Sequence, residues 1–340
     1  MVTGGVVREG SCEQGVVLNV GTGWIAALVA VSLGMATPAV AQDQPGKPIR
    51  LVAAFSSGAF QILAHLMTEK LTASLGQPVV VDYRTGGGGN IAPDLVAKAA
   101  PDGHTLVILN STHAIAPLLN PRLKYDVARD FAPVSLLATV PNLLVVHPSL
   151  PVKTLRELAQ FARANPGKLT YGSGGTGSFN HVGNELFRML AKADILHVPY
   201  KGGSIALLNI LSGEVDMVVV TVPATIPFIQ SGRLRALAVL SPERVPALPG
   251  VPTSAQAGMP ELVFVTWYGL AGPAGMKADF VARLNAETIR IIHSPEEQQR
   301  LAKVGVDAAT STPAGFADYM RAEVVKWSRV IRDAKIQISE

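Results

Sequence analysis

Four glycine-rich turns, each lying between a strand-like and a helix-like run, carry the residues best suited to chemistry. They are residues 56–58 (SSG), 86–90 (GGGGN), 172–178 (GSGGTGS) and 201–204 (KGGS). A turn of this kind leaves backbone N–H groups free at the start of a helix, where the helix dipole favours carboxylate or phosphate. Any one glycine could serve only a tight turn. Four such turns favour a shared anion-binding cleft, which parallel strands would place at their carboxyl ends.

The third turn also matches the glycine spacing of a dinucleotide-binding fingerprint, through Gly172, Gly174 and Gly177. That fingerprint requires an acidic residue at the end of the next strand. Here the next predicted strand ends in Tyr200-Lys201. No turn is followed by the lysine of a nucleotide-hydrolysing P-loop. We therefore expect no cofactor.

Catalytic and metal-binding patterns are also missing from the sequence. The seven histidines show no zinc-binding spacing, and no Gly-x-Ser-x-Gly motif occurs. His181 lies one turn into the helix that follows the third turn, where it could face the cleft or pack in the core. An enzyme would need converging acid, base or nucleophile groups. Only His181 and Lys201 are candidates, and neither has an orienting carboxylate, so we expect neither an enzyme nor a metal site.

The elements that position these turns alternate along the chain. The alternation predicts an α/β fold with mainly parallel sheets flanked by helices. Strands are predicted at 48–55, 79–82, 105–109, 143–147, 169–171, 195–200, 215–220, 235–240 and 262–270, and helices at 60–75, 91–100, 155–164, 179–191, from 295 and from 313. In the last helix, apolar residues recur on one face, which indicates core packing: Phe316, Met320, Val324, Trp327 and Ile331.

The N-terminus has the features of a secretory leader. Residues 24–36 are uncharged, and this run is shorter than the roughly 20 apolar residues that span a bilayer. The small-x-small site Ala39-Val40-Ala41 follows. We expect residues 1–41 to be a signal peptide that is cleaved after Ala41, which places the mature protein in the periplasm. The single cysteine, Cys12, would leave with it.

Composition narrows the choice of partners. The formal net charge is +4, and the basic residues are dispersed without a Lys/Arg-rich run. This argues against a nucleic-acid partner and favours a small anion. With 48% hydrophobic residues, the chain is long enough for two domains.

Several longer stretches resemble one known family. They are residues 47–55 (KPIRLVAAF), 75–83 (LGQPVVVDY), 86–102, 169–180, 197–202 (HVPYKG), 213–216, 234–240, 249–258 and 267–275 (WYGLAGPAG). In this order they resemble the periplasmic solute receptors of tripartite tricarboxylate transporters, the Bug-type family.

The resemblance implies a two-lobed periplasmic binding protein of type II-like fold. The first lobe would comprise residues 47–142 and 266–340, and the second residues 143–265. It also implies a monomeric receptor that captures a small carboxylate between the lobes, without catalysis or cofactor, for membrane transporter subunits. Two alternatives remain open: a receptor for a membrane sensor protein, and an enzyme on the same scaffold.

The resemblance further implies a set of ligand-binding residues at the turns and strand ends. They are Ser56, Ser57, Gly58, Phe60, Gln61, Ser111, Thr112, Ser173, Thr176, Gly177, Ser178, His181, Tyr200, Lys201, Gly202, Val220, Thr221 and Trp267. Two positions depart from the family pattern, because Gln61 stands where an acid is common and Val220-Thr221 replaces a frequent Asp-Asn. With two acids fewer, we expect an anion without an ammonium group, plain or aromatic, with Phe60 available for stacking.

Overall fold

A computed structural model describes residues 46–333 and Ile336. The expected signal peptide and its cleavage site lie outside the described residues. Apolar, β-branched runs form the strands: β1 (Ile49–Ala53), β2 (Val79–Tyr83), β3 (Thr105–Asn110), β4 (Phe131–Val146), β5 (Thr170–Ser173), β6 (Leu196–Pro199), β7 (Met217–Thr221), β8 (Arg235–Val239), β9 (Val265–Pro273) and β10 (Asp307–Ala308).

Helices follow most of the strands. They are α1 (Gly58–Leu75), α2 (Ile91–Ala97), α3 (Ser111–Leu119), α4 (Leu155–Ala164), α5 (Phe179–Ala191), α6 (Gly203–Leu211), α7 (Val222–Gln230), α8 (Ala278–Ile292), α9 (Pro295–Lys303) and α10 (Pro313–Asp333). A short 3₁₀ turn at Gly87–Gly89 precedes α2.

The strands form two sheets that share β4. The first sheet has the order β2-β1-β3-β9-β4, with β10 also paired to β4. The second has the order β4-β7-β5-β6, with β8 on β4. One core cluster surrounds the first sheet, and two lie on opposite faces of the second. Alternation along β4 explains the latter pair, because Leu143 and Val145 point to one face and Leu144 and Val146 to the other.

The chain passes between the sheets where Asn142 lies. Up to Pro141, β4 pairs with β9 in the first sheet, and from Asn142 onward it pairs with β7 and β8 in the second. The Asn142 side chain is fully buried and donates to Phe264 O at 3.0 Å and to Thr266 Oγ1 at 2.9 Å. Asn142 therefore ties together both segments that cross from one sheet to the other.

The sheets are mixed, which corrects the expectation of mainly parallel sheets. β1 is parallel to β2 and β3, and β5 is parallel to β6 and β7. The crossing strand β4 and its partner β9 are antiparallel to their neighbours. A buried apolar run has the same composition in either orientation, so the sequence pattern could not report strand direction.

Several elements were absent from the sequence prediction. β4 starts at Phe131, well before the predicted 143–147 strand, and Pro133, at a bulge, and Pro141 interrupt its apolar pattern. Helices α3, α6 and α7 are short and apolar on most sides, so they carry no amphipathic signal.

The predicted face of α10 does pack in the core, as its spacing indicated. Phe316, Met320 and Trp327 are buried, and Val324 and Ile331 pack against the core while partly exposed.

A buried carboxylate fixes α10 on β9. Glu323 Oε2 accepts the indole N–H of Trp267 at 3.2 Å and that of Trp327 at 3.0 Å. Lys326 Nζ lies 3.1 Å from the other oxygen, Oε1. Glu323 itself is only 6% exposed. One side chain thus satisfies two buried donors from different elements.

We expect Glu323→Leu to lower the free energy of unfolding by about 2–4 kcal/mol, because it leaves two buried indole N–H groups without an acceptor. Glu323→Gln keeps an acceptor oxygen and should cost clearly less. Urea denaturation of both variants measures the difference. A Glu323→Leu protein as stable as the wild type would contradict this role.

Candidate ligand-binding cavity

A cavity of ≈310 Å³ lies where helices from both sheets begin. From the first sheet it is lined by the start of α1, which follows β1. From the second sheet it is lined by the starts of α5, α6 and α7, which follow β5, β6 and β7. Two of the four turns predicted from the glycine pattern, 56–58 and 201–204, therefore meet here, and the end of β7 joins them.

Three of these helix starts lack a side-chain cap. The N-cap residues are Ser57 for α1, Gly202 for α6 and Thr221 for α7, and none makes a side-chain capping hydrogen bond. The first N–H groups of a helix have no partner within it, and the helix dipole adds partial positive charge there. The hydroxyls of Ser57 and Thr221 do not accept a hydrogen bond from their own helix, so each can donate one to a ligand.

The polar groups of these helix starts lie close together. Ser57 Oγ and Ser204 Oγ are 2.6 Å apart, which joins α1 to α6. A Cβ placed on Gly58 would lie 3.8 Å from Thr221 Oγ1, which brings α1 next to α7. Gly58 has a φ of +61°, a conformation that favours glycine and lets the chain enter α1 at this narrow point. The three helix starts form one polar junction, which we define as Ser57, Gly58, Gly203, Ser204 and Thr221.

No charged side chain lines the cavity among the described residues. An anion bound there would be held by backbone N–H groups and hydroxyls alone. Helix N-termini are suited to this, since their N–H groups point outward along the dipole. Apart from Asn180, the rest of the lining is mainly apolar and includes the rings of Phe55, Phe60, Phe179 and Tyr268.

A second, smaller cleft of ≈160 Å³ adjoins the first and shares Phe55 and Ser204 with it. It is lined by Ser56, Lys201 and Gly202, and by the turn that contains Gly86 and Gly89. Lys201 is exposed and is the charged residue of this cleft.

The predicted site residues divide into four groups. Those that line the main cavity are Ser57, Gly58, Phe60, Val220 and Thr221. Those that line the smaller cleft are Ser56, Lys201 and Gly202. Gln61, Thr176 and Tyr200 line neither; Gln61 is exposed and the other two are half-buried. The remainder are buried in packing: Ser111, Thr112, Ser173, Gly177, Ser178, His181 and Trp267.

The 172–178 turn uses its N–H groups within the protein instead of presenting them to a cleft. Gly175 N donates to Ser173 Oγ and Gly177 N to His181 Nδ1. Phe179 N donates across to Thr112 Oγ1 at 3.2 Å. A Cβ on Gly177 would lie 3.2 Å from Ala116 Cα, so the turn packs directly on α3. This turn joins the two sheets behind the cavity.

Trp267 was expected at the ligand, but its neighbour Tyr268 lines the cavity. Its ring is buried against Phe316 and Tyr319, and its indole N–H donates to Glu323. The adjacent Tyr268 lines the cavity instead. Successive residues of a strand point to opposite faces, so choosing between them requires the register of β9. In this structure Trp267 does not line either cleft.

Other lining residues were not singled out from the sequence. They are Phe55, Ala59, Phe179, Asn180, Gly203, Ser204, Leu207, Leu208, Pro223, Ala224 and Tyr268. Two signals could have found some of them. Pro223 follows Thr221 at the spacing of a first-turn proline, which marks a helix start. The turn at 201–204 was recognised, but Gly203 and Ser204 at the helix start were left out of the site.

His181 belongs to a buried stack of rings beneath the 172–178 turn. Its ring centroid lies 4.4 Å from that of His197, which stacks on Tyr171 at 4.9 Å. His197 Nε2 lies 2.6 Å from Ser173 Oγ, and the Tyr171 hydroxyl donates to Glu185 at 2.5 Å. Burial lowers the pKa of His181 to about 4, and it does the same for His197. Both rings are therefore neutral in the folded protein at pH 7.

Two further observations concern the described residues alone. Among residues 46–333, no cluster of three His, Cys, Asp or Glu side chains could hold a metal ion. No helix in the same range is both long and apolar enough to cross a bilayer.

Solved structures with the same architecture define the class of protein. The fold is that of the two-lobed periplasmic binding proteins. R. palustris Rpa4515, solved with adipate, superposes with a TM-score of 0.83 at 35% identity, covering 87% of this chain and all of that one. MatC from Rhodopseudomonas palustris, with bound malate, superposes with a TM-score of 0.79 at 31% identity, over 84% of this chain and 99% of that one.

Sequence comparison gives the family. Residues 63–336 match the model of the tripartite tricarboxylate transporter family receptor, TctC. Protein BugT of Bordetella pertussis is 35% identical over 303 residues, which span 88% of this chain and 93% of that protein. The chain belongs to the TctC family of periplasmic solute-binding receptors, which confirms the resemblance seen in the sequence.

The buried histidines predict a pH dependence of stability. A histidine whose pKa falls from 6.5 when unfolded to about 4 when folded binds its proton more readily in the unfolded chain. We therefore expect the free energy of unfolding to fall as the pH drops from about 6.5 to about 4.

The variant His181→Gln should reduce the slope over this interval, measured by urea denaturation at a series of pH values. Phe187→Leu is a matched control, because Phe187 is a buried ring of the same core that does not titrate. It should lower stability equally at every pH. If His181→Gln keeps the full wild-type slope, His181 is not a source of the pH dependence.

Proposed function

We propose that this protein is a periplasmic receptor that captures a small carboxylate in the main cavity and delivers it to membrane subunits of a tripartite tricarboxylate-type transporter. The observation that carries the proposal is the polar junction, where three uncapped helix starts meet without a charged side chain. Relatives solved with adipate and with malate support the same ligand chemistry.

The junction suits reversible capture of an anion. A carboxylate removed from water needs hydrogen bonds at both oxygens, and N–H groups at helix starts supply them with a favourable dipole. A transport receptor must also release its cargo. Neutral donors hold a carboxylate without the strong, desolvated ion pair that a buried arginine would form.

We further propose that the two lobes are residues 47–142 with 266–340, and residues 143–265. The passage of β4 from one sheet to the other at Asn142 supports the first boundary. Ser57 and Gly58 would then lie on the first lobe, and Gly203, Ser204 and Thr221 on the second. A ligand that contacts both sides favours the closed arrangement, because it binds that arrangement more tightly.

Binding without turnover is part of the proposal. His181 and Lys201 were the candidates for catalysis in the sequence. They do not converge on the main cavity, because His181 is buried in the ring stack and Lys201 lines the smaller cleft. We propose that the receptor acts as a monomer and that no cofactor is needed.

Export is the remaining element. We propose that the signal peptide is removed after Ala41, so the mature chain begins at Gln42. Intact-mass spectrometry of periplasmic material should give the mass of residues 42–340. Recovery of the protein with residues 1–41 attached would refute the cleavage.

Ligand capture at the junction is tested with two threonines, one at the N-cap of α7 and one within α7. Thr221→Val removes the Thr221 hydroxyl from the cavity and keeps a side chain of the same shape. It should weaken binding of adipate or malate about tenfold, because a hydrogen bond to a charged group contributes about 1.5 kcal/mol or more.

Thr225→Val is the matched control. Thr225 lies one turn later, is fully buried, and donates to Val222 O without lining the cavity. Isothermal titration calorimetry should show wild-type affinity for this variant. Equal losses in both variants would mean that the threonines act on the fold and not on the ligand.

A further inference from the structure

Resting on the proposed function, we infer a narrower ligand class: a carboxylate with one charge and an aromatic ring, of the benzoate type. The side chains that surround the polar junction determine whether a ligand with one charge or with two is bound. Relatives in solved structures hold adipate or malate, each of which has two carboxyl groups. The cavity of this chain is built differently from what a second charge requires.

Four aromatic side chains line the cavity: Phe55, Phe60, Phe179 and Tyr268. The Phe60 ring packs on two of the others, with its centroid 5.1 Å from that of Phe55 and 5.1 Å from that of Tyr268. The Phe60 and Tyr268 rings meet edge to face, at 83°. Phe179 lines the cavity from the second sheet. Phe60 and Tyr268 are only 3% and 2% exposed, so the half-buried Phe55 and Phe179 offer most of the ring surface on which a ligand ring can pack.

The remaining wall offers little to a second carboxylate. Leu207, Leu208, Val220, Pro223 and Ala224 are all apolar. Among the described residues, no lysine, arginine or histidine lines this cavity. A second carboxylate would lose its water without gaining a cationic partner, which strongly disfavours a buried charge.

Asn180 places a hydrogen-bond acceptor beside the polar junction. Its side chain is 1% exposed and lines the cavity. Its Nδ2 donates to Val219 O at 2.6 Å, which orients the amide and leaves Oδ1 as an acceptor. Oδ1 has no hydrogen-bond partner within the described part of the chain, and it lies beside Gly203. An amide oxygen in this position offers no hydrogen bond to a carboxylate, so the carboxylate must be held by the N–H groups and hydroxyls of the junction.

The polar junction and the aromatic lining together suit a ligand with one carboxylate and one ring. One carboxylate would lie at the helix starts, and its ring would lie among Phe55, Phe60, Phe179 and Tyr268. The cavity volume of ≈310 Å³ leaves room for a six-membered ring with one small substituent. The exposed Leu208, 63% accessible, would cover the outer edge of the ring.

The test is isothermal titration calorimetry of the mature protein with benzoate, adipate, malate and benzamide. We expect benzoate to bind at least about tenfold more tightly than adipate or malate, since ring packing and the absence of a second buried charge both favour it. Benzamide keeps the ring but lacks the charge, so it should not bind detectably.

A pair of phenylalanines tests the role of the wall. Phe179 and Phe161 are both half-buried and pack against the same core cluster, but only Phe179 lines the cavity. Phe179→Leu should weaken benzoate binding about tenfold and adipate binding much less. Phe161→Leu should leave both affinities unchanged.

The measurements distinguish a failure of the ring preference from a failure of the receptor function. If adipate or malate binds as tightly as benzoate or more tightly, the ring inference is overturned while the receptor function stands. Equal effects of Phe179→Leu and Phe161→Leu on benzoate binding would also overturn it. If no carboxylate binds, or if benzamide binds as well as benzoate, both the inference and the proposed anion receptor are refuted.

Discussion

Every helix begins with N–H groups that the helix itself cannot satisfy, and the candidate site depends on where this protein places them. Several helix starts obtain a side-chain partner: Ser178 caps α5 and Thr154 caps α4. Those of α1, α6 and α7 have no side-chain cap and meet at one cavity. Leaving these donors uncapped costs stability, and an anion placed among them recovers it. The positive end of the cavity therefore comes from the backbone and needs no basic side chain.

The crossing strands determine that these helix starts meet. β4 belongs to both sheets, and Asn142 links it to Phe264 and Thr266, where the chain returns. Both crossings are therefore tied at one buried amide. The contacts that span the sheets lie on either side of it: Ser57 with Ser204 at the cavity, and Thr112 with the N–H of Phe179 behind it.

The sequence predicted the parts of the site that local chemistry determines. A strand, a polar residue and a glycine before a helical run are readable at residues 49–58, and Ser57 and Gly58 do line the cavity. Thr221, at the end of β7, was expected from the family resemblance, and it also lines the cavity. The positions of the other expected residues depend on long-range packing, which the sequence pattern does not report. His181 and Gly177 were expected at the ligand, but they lie where α5 packs on β6 and α3. Tyr268 and Trp267 differ by one step of strand register, which only β3 and β4 determine.

The central claim is that a carboxylate is held at the polar junction, where the starts of α1, α6 and α7 meet. It is tested most directly by ¹H–¹⁵N NMR of protein labelled at glycine, with the tightest-binding of benzoate, adipate and malate at saturation. The account predicts the largest downfield amide proton shifts at Gly58 and Gly203. It predicts small shifts at Gly175 and Gly177, whose N–H groups already donate to Ser173 and His181. The largest shifts at Gly175 and Gly177, with Gly58 and Gly203 unmoved, would contradict it.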